Sequence, residues 1–214
     1  MAGWLLVLGS VSFIVGAANP GLGQVWSAPL ETQLRLIHDA ATAWTATNAL
    51  FFIATVLTAV GLWFVPDRVG ERGLMPARAA TLVYLVGATG WLASLVFRLS
   101  VTPAAAAAFV VAGQVEPAYV TTTHWASGMF GAFTYLAGGS LVALGVAVII
   151  GRALPAASGW FAIVTGTVIA GGYAAFGDMP PFVAYVPTGL LGLVLLPRRS
   201  RSDAHRRRMV KGSG

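Results

Sequence analysis

Six stretches of the sequence, residues 3–18, 44–65, 79–99, 124–150, 158–176 and 181–196, are apolar and hold no Lys, Arg, Asp or Glu deep inside them. A helix needs about 20 such residues to cross a hydrocarbon core of about 30 Å. The runs bracket that length, with the short first and last ones reaching into the interface. Strands of a membrane barrel alternate apolar and polar residues, whereas the stretch 141–150 is apolar on every face. The expected fold is therefore all-α, a polytopic transmembrane bundle of about six spans.

Little mass is left for a soluble domain in a chain of 214 residues that is 57% hydrophobic and 9% charged. Residues 1–197 read as one six-helix transmembrane domain and 198–214 as a basic tail. The 26 glycines suit this reading, because small residues let helices approach closely where lipid gives no hydrophobic drive for association. The absence of cysteine removes disulfides, thiolate metal sites, covalent c-type haem and Cys nucleophiles together. The net charge of +6 does not point to nucleic acid, since seven of the thirteen basic residues lie in 198–214, after the last run. That tail is a topology and lipid-surface signal. The closing Lys211-Gly212-Ser213-Gly214 is assigned no function.

Six spans put both termini on one side, and the basic residues then divide unevenly. Arg68, Arg72, Arg78, Arg152 and the tail fall on one face, and only Arg35 and Arg98 on the other. By the positive-inside bias the first face is cytoplasmic and so are both termini. Val15-Gly16-Ala17 loosely resembles a signal cleavage site, but no basic residue precedes the first run, which favours a retained span.

Two shorter segments are expected to lie at the interface. Residues 30–42 resume helical periodicity after Asn19-Pro20-Gly21, with Glu31, Arg35, His38 and Asp39 on one face. Residues 100–119, with five consecutive alanines between Pro103 and Pro117, read as a second short interfacial helix between spans three and four.

The ionisable groups away from the arginine-rich face gather at the outer ends of the spans: Glu31, Arg35, His38, Asp39, Arg98, Glu116, His124 and Asp178. Helical spacing aligns His38, Thr45, Asn48, Phe52 and Thr55 on span two, Tyr84, Ala88, Trp91, Ser94 and Arg98 on span three, and His124, Gly128, Gly131, Tyr135 and Gly138 on span four. Together these faces predict an outward-opening mouth floored by Asn48, Tyr84, Trp91 and Tyr135, with Arg98, His38 and His124 gripping the polar end of a small lipophilic ligand. The same residues also serve helix packing and headgroup anchoring in many bundles.

Three chemistries compete for such a mouth. His38 and His124 are the only histidines in the membrane region, and bis-histidine haem b needs such a pair. Asp39, Glu116 and Asp178 offer carboxyl acids for cyclisation or isomerisation of an isoprenoid or lipid, with Trp91, Trp125, Phe130 and Tyr135 facing a cationic intermediate. A metal site is not expected, because His38, Asp39, His124 and Asp178 show no ligand spacing. Coupled ion transport is disfavoured by span centres without ionisable residues. Protease, hydrolase and nucleotide motifs are absent from the sequence. A structural subunit of a membrane complex, or a homo-oligomer, remains open.

The second half carries Gly151-Arg152-Ala153-Leu154-Pro155, then Gly159-Trp160 opening a span, then a final span running into a basic tail. Over roughly residues 124–200 this resembles small six-span bacterial membrane proteins classed only as a domain of unknown function. The resemblance implies a bacterial inner membrane and carries over no site residues. Its third span would hold an Arg and a Glu, and residues 84–94 have neither.

Overall fold

Each helix of the bundle starts or stops where local chemistry demands it. A computed structural model describes residues 1–177, 179 and 182–196. Helix α1 runs Ala2–Ala17 and ends before Asn19, whose side chain accepts a hydrogen bond from the Gly21 N–H at 3.2 Å and opens a single turn at Pro20–Leu22. Helix α2 (Leu30–Asp39) is amphipathic, burying Leu34 and Ile37 and exposing Glu31, Arg35, His38 and Asp39. Ala40, at φ −112° and ψ 34°, breaks it from α3 (Ala41–Trp63). Helices α4 (Glu71–Ala112) and α5 (Pro117–Gly151) form an antiparallel hairpin, followed by α6 (Ala156–Phe176) and α7 (Phe182–Leu195). Gly113 takes the left-handed φ of 71° that closes α4, and Pro117 occupies the first turn of α5, where its missing N–H costs nothing.

The structure corrects one expectation here. Residues 100–112 are no separate interfacial helix; they continue α4 through Pro103, and α5 starts five residues later at Pro117. A proline inside a helix forfeits a backbone hydrogen bond. The alanine run restores helical propensity beyond it, and burial of Thr102, Ala106 and Phe109 holds the extension in place.

Among the described residues four helices, α3 to α6, are long and apolar enough to cross a membrane; α1 and α7 are apolar but have 16 and 14 residues. At 1.5 Å per residue α4 is about 63 Å long and α5 about 52 Å, more than the 40–45 Å of a whole bilayer. The hairpin therefore has surplus length, and the burial pattern shows what covers it. One apolar cluster runs through the bundle, including Leu6, Phe51, Trp91, Phe133 and Tyr185. A second joins Leu22, Val25, Leu34 and Ile37 to Trp44, Phe97, Phe109 and Tyr119, so that α2 and its preceding loop cap the distal hairpin.

Glycine sets the closest helix approaches. A Cβ on Gly145 would lie 2.5 Å from the Gly159 carbonyl oxygen, and one on Gly159 would lie 2.8 Å from that of Gly145, so α5 and α6 meet backbone to backbone. Gly3 and Gly192 bring α1 and α7 together in the same way, at 2.7 and 2.8 Å. Near the other end of the α4–α5 pair, Gly70 packs on Gly151, which brings Arg68, Arg72 in the first turn of α4, and Arg152 to the end opposite the cap.

Candidate functional site

A cavity of about 620 Å³ lies where the cap meets the bundle. Helix α2 contributes Gln33 and Ile37; α1 contributes Phe13 and Ala17; α3 contributes Trp44 and Phe51; α6 contributes Tyr173, and Gly177 follows at its C-terminal end. Trp26, in the loop before α2, completes the cap side, and the Gln33 side-chain amide donates 2.9 Å to the Val25 carbonyl, tying that loop to the helix. The volume lies within the range of small-molecule sites, and the wall is aromatic with a few polar groups, the usual composition of such sites.

The polar groups stand on two facing helices. Ser94, Arg98 and Thr102 follow one another a turn apart on α4, and Tyr119, Thr123 and Ser127 do so on α5. Contacts above and below fix the pairing of the two rows. The Tyr119 hydroxyl donates to Thr102 Oγ1 at 3.5 Å, and about three turns deeper the Trp91 and Phe130 rings meet at 4.9 Å. Between those contacts Arg98 stands level with Thr123, and Ser94 with Ser127.

Arg98 is held by aromatic faces. Its guanidinium carbon lies 5.0 Å from the Trp91 ring centroid and 5.5 Å from that of Trp26. Its backbone carbonyl accepts a 2.7 Å hydrogen bond from Trp44 Nε1, and Trp44 in turn packs on Trp26 at 5.5 Å. Below this level the rings close the floor: Phe13 stacks between Phe51 and Tyr185 at 4.3 and 4.1 Å, and Trp91 stacks on Phe133 at 5.9 Å.

Two hydroxyls in the wall stand out by what they lack. Thr55, Thr81 and Thr134 each donate to the carbonyl one turn back, the usual resolution for a hydroxyl in an apolar helix. Ser94 Oγ and Thr123 Oγ1 are buried and have no hydrogen-bond partner among the described residues. An unmade bond in a low-dielectric setting is costly, and native proteins leave few of them.

The sequence-derived candidates separate on this geometry. Arg98 lines the cavity, and Trp91 lies directly beneath it. Tyr84 is buried about two turns deeper, edge-on to Phe133 at 6.0 Å. Asn48 is buried, its Nδ2 donating 2.9 Å to the Trp44 carbonyl, but it is not in the cavity wall. Tyr135 is 46% exposed and packs against Tyr173 from outside. The expected floor of Asn48, Tyr84 and Tyr135 is thus replaced by Phe13, Phe51 and Phe130. His38, Asp39, Glu116 and His124 are all exposed and absent from the wall, so the histidine pair considered for haem b does not meet at this cavity. Asp178 lies outside the described residues. Among the described residues no three His, Asp or Glu side chains cluster as a metal site.

Sequence reasoning missed Trp26, Trp44, Thr102, Tyr119 and Ser127 as wall residues. The signal was the recurrence of polar residues four apart on either side of Gly113, Ser94-Arg98-Thr102 and Tyr119-Thr123-Ser127, hidden because 100–119 reads as an isolated segment. In comparison with known proteins, the chain matches no protein family, no curated protein and no solved structure. Its own residues therefore carry the functional reading.

Proposed function

We propose that this chain is a bacterial inner-membrane protein of six spans, with both termini cytoplasmic, that binds a small amphiphile in the cavity between bundle and cap. The sidedness follows from Arg68, Arg72, Arg78 and Arg152 at one end of the bundle and the basic tail beyond α7. On α4 the uncharged stretch 79–97 covers about 30 Å, which puts Arg98 at the far edge of the hydrocarbon, where long basic side chains reach for the interface.

The observation that carries the reading is the aromatic-walled cavity at that level, with buried hydroxyls in its wall that have no partner among the described residues. Among the described residues the wall holds no carboxylate, which favours binding over acid/base chemistry by Asp39 or Glu116. A direct test is mass spectrometry of lipophiles extracted from the purified protein, comparing wild type with Ala126→Trp. Ala126 is buried in the wall, and an indole there fills the space. A small amphiphile present in the wild type and lost in the variant is the expected result; equal content in both ends the proposal.

A further inference from the structure

Three buried side-chain oxygens in or beside the cavity have no hydrogen-bond partner among the described residues: Ser94 Oγ, Thr123 Oγ1 and Asn48 Oδ1. Ser94 and Thr123 belong to the wall. Asn48 lies just behind it, on the α3 face between the wall residues Trp44 and Phe51, and its amide turns back toward the cap to donate 2.9 Å to the Trp44 carbonyl. Two bonds fix the register of α3 against α4: Trp44 Nε1 to the Arg98 carbonyl at 2.7 Å, and Thr81 Oγ1 to the Leu62 carbonyl at 3.3 Å. Counting inward from either bond brings Asn48 level with Ser94 to within one residue, and both side chains are fully buried. Thr123 stands about one turn nearer the cap. The needs of these atoms describe a ligand head. Asn48 Oδ1 only accepts, whereas each hydroxyl both donates and accepts. A hydroxyl head meets both needs, giving its one hydrogen and accepting on its oxygen. A carboxylate, ether or ketone has no hydrogen to give, a quaternary ammonium has no lone pair, and a charged head is costly to bury against neutral groups. Arg98 is already engaged within the protein and is given no part in the recognition.

Resting on the amphiphile reading above, we infer that the cavity selects single-chain lipophiles with a neutral hydroxyl head. The head donates to Asn48 Oδ1 and accepts from Ser94 and Thr123, and the chain lies across Phe13 and Phe51. Bound alcohol thus satisfies three polar atoms that are costly to leave unpaired in an apolar setting.

The test uses the full-length protein in phosphatidylcholine nanodiscs at pH 8, with empty discs as the blank, titrated calorimetrically with dodecanol, its methyl ether, dodecanoate and dodecyltrimethylammonium. Dodecanol should bind about fivefold or more tighter than the ether, the loss expected for one hydrogen bond left unmade, and tighter than both ions. Ser94→Ala and Thr123→Val delete hydroxyls that hold nothing within the described structure, so both variants should keep the helical circular dichroism of the wild type; each should weaken dodecanol about fivefold. Dodecanol no tighter than its ether, either ion binding as tightly as dodecanol, or dodecanol affinity unmoved in both variants overturns the inference while the amphiphile reading stands. Failure of all four probes to bind overturns both.

Discussion

The docking of α7 onto the bundle turns on one buried side chain, and a mutant cycle there tests the architecture. Tyr185 is fully buried, its ring stacked on Phe13 of α1 at 4.1 Å and its hydroxyl 2.6 Å from Thr55 Oγ1 of α3. Thr55 has one hydroxyl hydrogen, and it points to the Phe51 carbonyl at 2.8 Å, so Tyr185 is the donor to Thr55. Interhelical hydrogen bonds in membranes average about 0.6 kcal/mol and reach about 1.7 kcal/mol, because helices apart in lipid find other partners. Tyr185→Phe should therefore cost about 0.6 to 1.7 kcal/mol, with the stack on Phe13 intact. Tyr185→Ala also deletes the ring and should cost about 3 to 5 kcal/mol. Thr55→Val removes the acceptor, so the double variant Thr55→Val with Tyr185→Phe should cost little more than either single change, a coupling of about 0.6 to 1.7 kcal/mol. Reversible unfolding in mixed micelles with increasing dodecyl sulfate, followed by tryptophan fluorescence, measures all four species. A coupling of zero, or a Phe variant as unstable as the Ala variant, would refute the placement of α7 against α1 and α3.

Three further outcomes rest on the same packing. Single cysteines at Asp67 and Gln114, both exposed and at opposite ends of the α4–α5 pair, should label from opposite sides of sealed vesicles; same-side labelling contradicts the proposed span count. Gly145→Val forces a Cβ against the Gly159 carbonyl and Ile163 and should cost about 1 to 3 kcal/mol in the unfolding assay, whereas Gly139→Ala, with nothing within 4 Å, should be neutral or slightly stabilising. Ser94→Ala in the ligand-free protein should leave stability unchanged or raise it by about 1 kcal/mol, since it removes a buried hydroxyl without a partner; a loss of that size would mean the hydroxyl is bonded.

Positions of helices along the chain were legible because charge and proline mark them without reference to neighbours. Helix α2 lies where the Glu31-Arg35-His38 face placed it, and each of the six apolar runs overlaps one of α1 and α3 to α7. Their rotation was legible only on α4, where Tyr84, Ala88, Trp91 and Ser94 are all buried. On α3 the break at Ala40 takes His38 out of phase with Asn48, and the inward face is Trp44, Thr47, Asn48, Phe51 and Thr55. On α5 the expected row splits: Gly131 and Gly138 turn to α6, while His124, Gly128 and Tyr135 are exposed. In water a polar stripe tells which side of a helix faces out. A span surrounded by lipid has no such stripe, and aromatic residues serve protein and lipid contacts alike.

The cavity itself follows from a length mismatch that the sequence concealed at Pro103. A hairpin of about 63 and 52 Å is longer than a bilayer is thick, and the apolar surface at its distal end is covered by protein. Helix α2 and the Trp26 loop supply the cover, yet they pack on Phe97, Phe109 and Tyr119 of the distal hairpin rather than down onto the rings of the bundle. Phe97 and Trp44 are bulky and buried at the join, and the Trp44 bond to the Arg98 carbonyl fixes its indole there. The cap is thereby held off the Phe13, Phe51 and Phe130 layer, and the space between is the cavity. Arg98 sits at the join because that level is where the uncharged stretch of α4 ends. The same surplus of helix that made residues 100–119 misread as a separate element is what builds the candidate site.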